Sequence, residues 1–390
     1  MLDGLGIFPG LAWKQMAVLN AAFAAAILGG VYGWISSLFD DRRVGLLTVL
    51  FYMGSGHFLT LAVINEDIMP SYFFLLAAMI LAGLWFGRPT PGRILAVAVM
   101  TSVAWLFEWR LMFPVLPPLL LALWLSANTW RQRLMRPLGF LLGMSILPLL
   151  VTVWAAVRQQ LDPADAVAFF GRLFWVGKGV GTGWAGFSVA KLHLIWAGMA
   201  ESVVGGRYLQ SSDWMNHPAN LWEVASATLL LTVLAVAAAR YVWARRSDAR
   251  LLAHGIVFGG TFLAGQFFNA YSQPQDPQMQ LTVMPWIIPA WGVLMISLLQ
   301  TRGPEAQPSA GHARRYGPLI AVLMSLFPML NTVPVIAAER GGNTRYLQVL
   351  ARLEQQLDPA RTFFVYLGFD ALIPWQFTNW SATWPNVDQL

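Results

Sequence analysis

Three segments of this chain concentrate the residue types that could do chemistry. The first, Asn65-Glu66-Asp67-Ile68-Met69-Pro70-Ser71-Tyr72, sets two adjacent carboxylates between apolar stretches. Acids at membrane depth are costly and usually functional. Glu66 and Asp67 could hold a divalent cation through oxygen or hydrogen-bond a sugar hydroxyl; equally, they could cap the helix that follows. The second segment, 157–219, carries Gly177-Lys178-Gly179-Val180-Gly181-Thr182-Gly183-Trp184, then Lys191 and Arg207. Its glycines match neither a dinucleotide fingerprint nor a phosphate loop, and they read as a backbone-exposing turn. Lys178, Lys191 and Arg207 could contact a phosphate or lipid headgroups. The third runs from Asn269 through Gln273, Gln275, Asp276 and Gln278 to Gln280, with Pro274 and Pro277 among them. Gln275 and its neighbours offer donors and acceptors with little net charge, which suits neutral polyols such as sugars and also any solvated turn.

The elements that must position these segments are apolar. Of 390 residues, 57% are hydrophobic and only 11% charged, with a mean hydropathy of +0.56, where a soluble chain carries roughly 25% charged residues. A spanning helix needs about 20 apolar residues. The pattern predicts spans near 17–38, 44–64, 71–86, 94–107, 111–127, 137–156, 220–244, 252–270, 281–299 and 317–338. Two of these, 94–107 and 111–127, are short and separated only by Glu108-Trp109-Arg110, so they read as tilted, partly re-entrant or buried by neighbours. Residues 186–204 have helical spacing with Trp196 and read as a helix lying in the interface.

Charge sorts the loops. Loops 39–43, 87–93, 128–136, 245–251 and 300–316, with Arg240, hold 14 Arg and 4 acidic residues, against 11 Lys+Arg and 15 acidic residues elsewhere. The positive-inside rule puts the first set in the cytoplasm and both termini outside. The net charge of +6 is therefore a topological signal and implies no nucleic-acid partner. Zero cysteines exclude a disulfide or a thiolate metal site. The lone histidines His57, His254 and His312 lack a partner at ligand spacing and read as packing residues. Residues 1–16 resemble neither a signal peptide nor a first span; either a helix precedes them in the ancestral protein or a short tail is translocated unaided.

The order of polar helix exit, acidic pair, Pro/Tyr and apolar helix at 65–80 resembles the second exterior loop of GT-C glycosyltransferases, that is, of the dolichyl- or polyprenyl-phosphate-sugar mannosyltransferases and their bacterial relatives. The stretch Phe267–Pro289, with Gln275-Asp276-Pro277 and Trp286-Ile287-Ile288-Pro289, and the stretch Gly177–Gly206, with Trp184 and Gly205-Gly206, are similar to further segments of the bacterial members. Helix number and loop order match over most of 1–338.

The resemblance implies an all-α, polytopic protein of a bacterial inner membrane. Residues 1–338 would form a transmembrane domain of about ten helices with the long exterior loop 157–219. Residues 339–390 would form an exterior tail, where helical spacing at 345–357 and the apolar run 362–369 read as a helix and a strand independently of the resemblance. It implies transfer of a sugar from a polyprenyl-phosphate carrier to an acceptor on the exterior face. Glu66 and Asp67 would occupy the acidic catalytic positions, and Lys178, Lys191, Arg207, Gln275 and Asp276 would bind substrate, with or without a divalent cation. The family's principal catalytic Asp follows its first helix. Here the only acid in that region is Asp3, followed by Gly4, so the base is expected upstream of Met1 or lost. The rival expectation is a non-catalytic subunit of a larger membrane complex, bound to partner membrane proteins. A secondary transporter would need polar or charged residues near the midplane of its spans, often in broken helices repeated across two halves; the spans are nearly free of ionisable groups, and no internal repeat is evident.

Overall fold

The computed structural model describes residues 12–55, 58, 68–158, 160, 162, 164, 191–203, 218–271, 277–299 and 316–330. Among these residues the chain is helical and carries no strand. The helices are α1 (Ala12–Phe39), α2 (Arg42–Met53), α3 (Ile68–Trp85), α4 (Pro91–Phe107), α5 (Leu116–Leu125), α6 (Trp130–Arg158), α7 (Lys191–Val203), α8 (Pro218–Ala244), α9 (Ala249–Tyr271), α10 (Pro277–Val283), α11 (Ile287–Leu299) and α12 (Tyr316–Leu330). Among the described residues six stretches are long and apolar enough to cross a membrane: Val18–Phe39, Ile68–Trp85, Trp130–Arg158, Val224–Ala244, Ala249–Tyr271 and Gln280–Leu299. The protein is therefore a multi-pass membrane protein by helix length and composition. Four of the ten segments read from the sequence are shorter helices here: α2, α4, α5 and α12.

Capping chemistry starts several helices at the arginine-bearing connections. Asp41 accepts from the Arg43 amide, Thr90 from Arg93, and Asp248 from Arg250 and Leu251, each satisfying orphan donors of a first turn. Arg43 also donates its guanidinium to Asp41 at 2.8 Å, which holds that carboxyl below the usual carboxylate range. Thus two of the few acids in the arginine-rich loops are helix caps. Asp40, at φ 52°, makes the left-handed turn between α1 and α2, a conformation that Asp tolerates better than most residues.

Packing sorts the helices into centre and rim. Ile68–Trp85 is 61% buried and Gln280–Leu299 72%, whereas Val224–Ala244 is 22% buried; α3 and α11 lie towards the centre, and α8 lies at the rim. Phe51 of α2 stacks on Trp291 of α11 with centroids 3.8 Å apart. Trp291 Nε1 in turn donates to Ser325 of α12 at 3.4 Å.

The helix ends separate into two sets. At one end Phe39 meets Tyr241 and Gly292, and Gly87 lies against Ala249. Arg136 donates to the Ser126 carbonyl there, across the α5–α6 connection. At that end too, a Cβ on Gly83 would sit 2.7 Å from the His254 ring. His254 is buried, bonds the Arg250 carbonyl through Nδ1 and accepts from Trp34 Nε1 at 3.2 Å. One nitrogen donates and the other accepts, as a neutral ring requires, so His254 is the packing residue that its isolation in the sequence implied. His57 lies outside the described residues. The other end of the bundle, poor in arginine, carries the polar residues considered next.

Candidate functional site

A hydroxyl and amide cluster lies buried at the arginine-poor end. Tyr52, one residue from the end of α2, and Tyr72, in the second turn of α3, hydrogen-bond through their hydroxyls at 2.5 Å. Both rings are buried. Helix α2 stops here because the chain turns at Gly54 and Ser55. A Cβ on Gly54 would sit 2.9 Å from the Met329 side chain of α12, and Ser55 Oγ donates back to the Tyr52 carbonyl at 2.7 Å. Ser71 donates to the carbonyls of Ala104 and Glu108, tying the start of α3 to the end of α4.

From the other side come Ser202 of α7 and Gln280 of α10. Ser202 Oγ donates to the Gly198 carbonyl at 2.7 Å. The Gln280 amide oxygen accepts from Gln266 Nε2 of α9 at 3.2 Å. Helix α7 is fixed in place by Trp196, whose Nε1 donates to Thr228 of α8 at 2.8 Å. Tyr52, Ser55, Tyr72, Ser202, Gln280 and Met284 line a cavity of about 20 Å3, measured as the volume open to the centre of a water molecule. That is room for one or two waters or a single hydroxyl group, not for a sugar ring. The described residues therefore form a floor, onto which a larger polar molecule could lower one or two hydroxyls.

Beside that floor the α9–α10 seam holds polar atoms without partners. Both amide atoms of Asn269, the Gln266 amide oxygen and Trp286 Nε1 have no hydrogen-bond partner among the described residues, and Asn269 is fully buried. Buried unsatisfied polar groups are rare in native proteins and call for an explanation such as a bound ligand or water. Asn269 lies one turn beyond Gly265, where a Cβ would clash with Val283 and approach Pro114 to 3.2 Å. The close approach that glycine permits draws the amide into the interior.

Most of the residues singled out from the sequence fall elsewhere. Glu66, Asp67, Lys178, Arg207, Gln275 and Asp276 lie outside the described residues. So do the tail, with its expected helix and strand, and the side chain of Arg110. Lys191 begins α7. The chain enters the described structure at Ile68, one residue after Asp67 and four before Tyr72, and again at Pro277, one residue after Asp276 and three before Gln280. Among the described residues no group of three His, Asp or Glu could hold a metal ion. No protein-family model matches the chain, and no curated protein is detectably similar to it.

Proposed function

We propose that this chain is an integral membrane glycosyltransferase of the GT-C type, which moves a sugar from a polyprenyl-phosphate carrier to an acceptor hydroxyl. The observation that carries this reading is the uncharged floor of Tyr52, Tyr72, Ser202 and Gln280 beside an orphaned Asn269 amide. These are the groups that hydrogen-bond a neutral polyol, and the two stretches bearing Glu66-Asp67 and Gln275-Asp276 join the described chain within four residues of that floor. In the proposed reaction the acceptor oxygen attacks the anomeric carbon and loses its proton to a carboxylate, Glu66 or Asp67. The bond from the anomeric carbon to the phosphate oxygen breaks, and the charge left on the lipid phosphate is offset by Lys178, Lys191, Arg207 or a divalent cation.

The proposed topology has ten crossings and both termini outside a bacterial inner membrane, with the floor opening to the exterior. Reporter fusions at 128–136 should score cytoplasmic and fusions at 339–345 exterior; the reverse pattern would remove the basis for an exterior site. The activity itself is tested with membranes containing the chain and radiolabelled polyprenyl-phosphate sugars. Label should move to a water-soluble or lipid acceptor, and failure with every carrier-linked sugar tried would count against the enzyme.

One observation favours a second reading. The floor contains no carboxylate among its described residues. A chain whose base was lost would keep the fold and the polar floor without the reaction, as a non-catalytic subunit held by partner membrane proteins.

A further inference from the structure

The rim helix α8 carries an exposed stripe whose composition changes along its length. Leu229, Val233, Val236, Arg240 and Trp243 follow one another at spacings of four, three, four and three, and all are exposed, Leu229 at 68% and Trp243 at 70%. Residues at such spacings share one helix face. The stripe spans about 21 Å along the axis and passes from branched aliphatics to a cation and an indole at the arginine-rich end. Just beyond it lie Arg245 and Arg246. The Arg245 guanidinium sits 4.0 Å over the Tyr241 ring and the Arg246 guanidinium 4.7 Å over Trp243. An aromatic face holds a guanidinium by its plane and leaves the N–H edge free for two oxygens of a phosphate or carboxylate.

The one acid of this connection, Asp248, is engaged at a helix start. Asp248 Oδ1 accepts from two backbone amides. Arg88, Arg93, Arg240, Arg245, Arg246 and Arg250 have no ion-pair partner among the described residues, and Arg250 Nε is buried without a hydrogen-bond partner. A Cβ on Gly87 would sit 3.3 Å from the Ala249 backbone, so the two connections that carry these arginines lie against each other.

We infer that this corner is a binding site for an anionic phospholipid. The phosphodiester lies on the N–H edges of Arg240, Arg245 and Arg246, and an acyl chain lies along Val236, Val233 and Leu229. The apolar stripe leading into the arginines is what selects a lipid over a free anion, because a soluble phosphate gains nothing from it. Basic pockets between membrane helices are physically suited to such headgroups. The site is separate from the polar floor and does not depend on the glycosyl-transfer reading.

The test compares the full chain with R245Q/R246Q and with R131Q/R133Q, which removes the same charge from another exposed connection of the arginine-rich end. Dioleoylphosphatidylglycerol, dioleoylphosphatidylcholine and inorganic phosphate are each titrated against detergent-solubilised protein, with bound lipid read by native mass spectrometry and the anion by thermal shift. Each arginine near a charged headgroup contributes roughly 5-fold in affinity. Phosphatidylglycerol binding should therefore weaken more than about 10-fold in R245Q/R246Q and stay near the parent in R131Q/R133Q, with phosphatidylcholine not retained. Equal loss in both double variants, or equal retention of both lipids, would overturn the site in favour of diffuse surface charge. A thermal shift with inorganic phosphate that R245Q/R246Q abolishes would make it a free-anion site and overturn the lipid. All three residues are exposed, so folding should be unaffected; should R245Q/R246Q aggregate, R246Q and R240Q alone carry the comparison.

Discussion

Glu66→Gln and Asp67→Asn should each lower sugar transfer at least 10-fold, and the double variant by roughly 10²- to 10⁴-fold, the contribution of a positioned proton acceptor. Each substitution keeps shape and removes the charge and basicity that the proposed step needs. The loss should fall on kcat more than on KM if the carboxylate acts in the transition state, because binding of the carrier does not draw on it. Both residues directly precede the first turn of α3, where an amide serves as a cap about as well as a carboxylate. Expression and unfolding midpoint should therefore match the parent. If the double variant transfers sugar at the parent rate, the pair is a helix cap and the enzyme reading fails at its base.

Asn269→Leu should separate stability from activity. The two side chains have the same branching and the same number of heavy atoms, so the exchange removes polarity with little change of shape. The Asn269 amide is buried with neither atom paired among the described residues, a state that costs about 1–3 kcal/mol. The variant should thus be more stable than the parent, by that order, in a thermal unfolding measurement in detergent. If the amide exists to meet a substrate hydroxyl, the same change should cut kcat/KM by roughly 5- to 150-fold, the kinetic equivalent of a lost buried hydrogen bond. Gains in stability bought with function are common where a site is kept polar for its ligand. A variant that loses stability would show the amide to be satisfied in the folded protein, and one that gains stability with full activity would show it to be idle.

Much of the bundle is legible in the sequence because lipid imposes a simple rule. Each apolar stretch read from the residues holds a helix among the described residues, and Arg42, Arg88, Arg136 and Arg250 fall at or beside connections that the fold gathers at one end. The lengths are less legible. The stretch 44–64 reads as one span, yet α2 ends at Met53, because Gly54 meets α12, more than 270 residues away in sequence. The polar floor is half legible. Tyr72, Asn269 and Gln280 stand at the edges of segments picked out for their polar content. Tyr52, Ser202 and Gln266 are single hydroxyls or amides within apolar runs, and a reading that weighs ionisable groups passes over them. Their significance comes from convergence across α2, α7, α9 and α10, which no local pattern encodes. In the charge pattern Asp41 and Asp248 stand only as loop acids, although Asp shortly before an apolar run is itself a helix-start signal.

Helix α9 contains one turn, Gly255–Gly259, closed from residue i to i+5. Such a turn holds one residue more than a regular one. Below it His254 faces Trp34 and Gly83, and above it Gly265 faces Val283 and Pro114. Removing a single residue from a regular helix turns everything beyond it by about 100°, and in a packed bundle that would swing a buried face toward lipid. Removing one residue from Gly255–Gly259 instead closes the wide turn to a regular one and leaves both flanking faces aimed at their partners. This span thus tolerates a codon-sized deletion that its neighbours do not. By the same reasoning, a one-codon insertion could enter a helix already wedged between α3 and α10 without disturbing either contact.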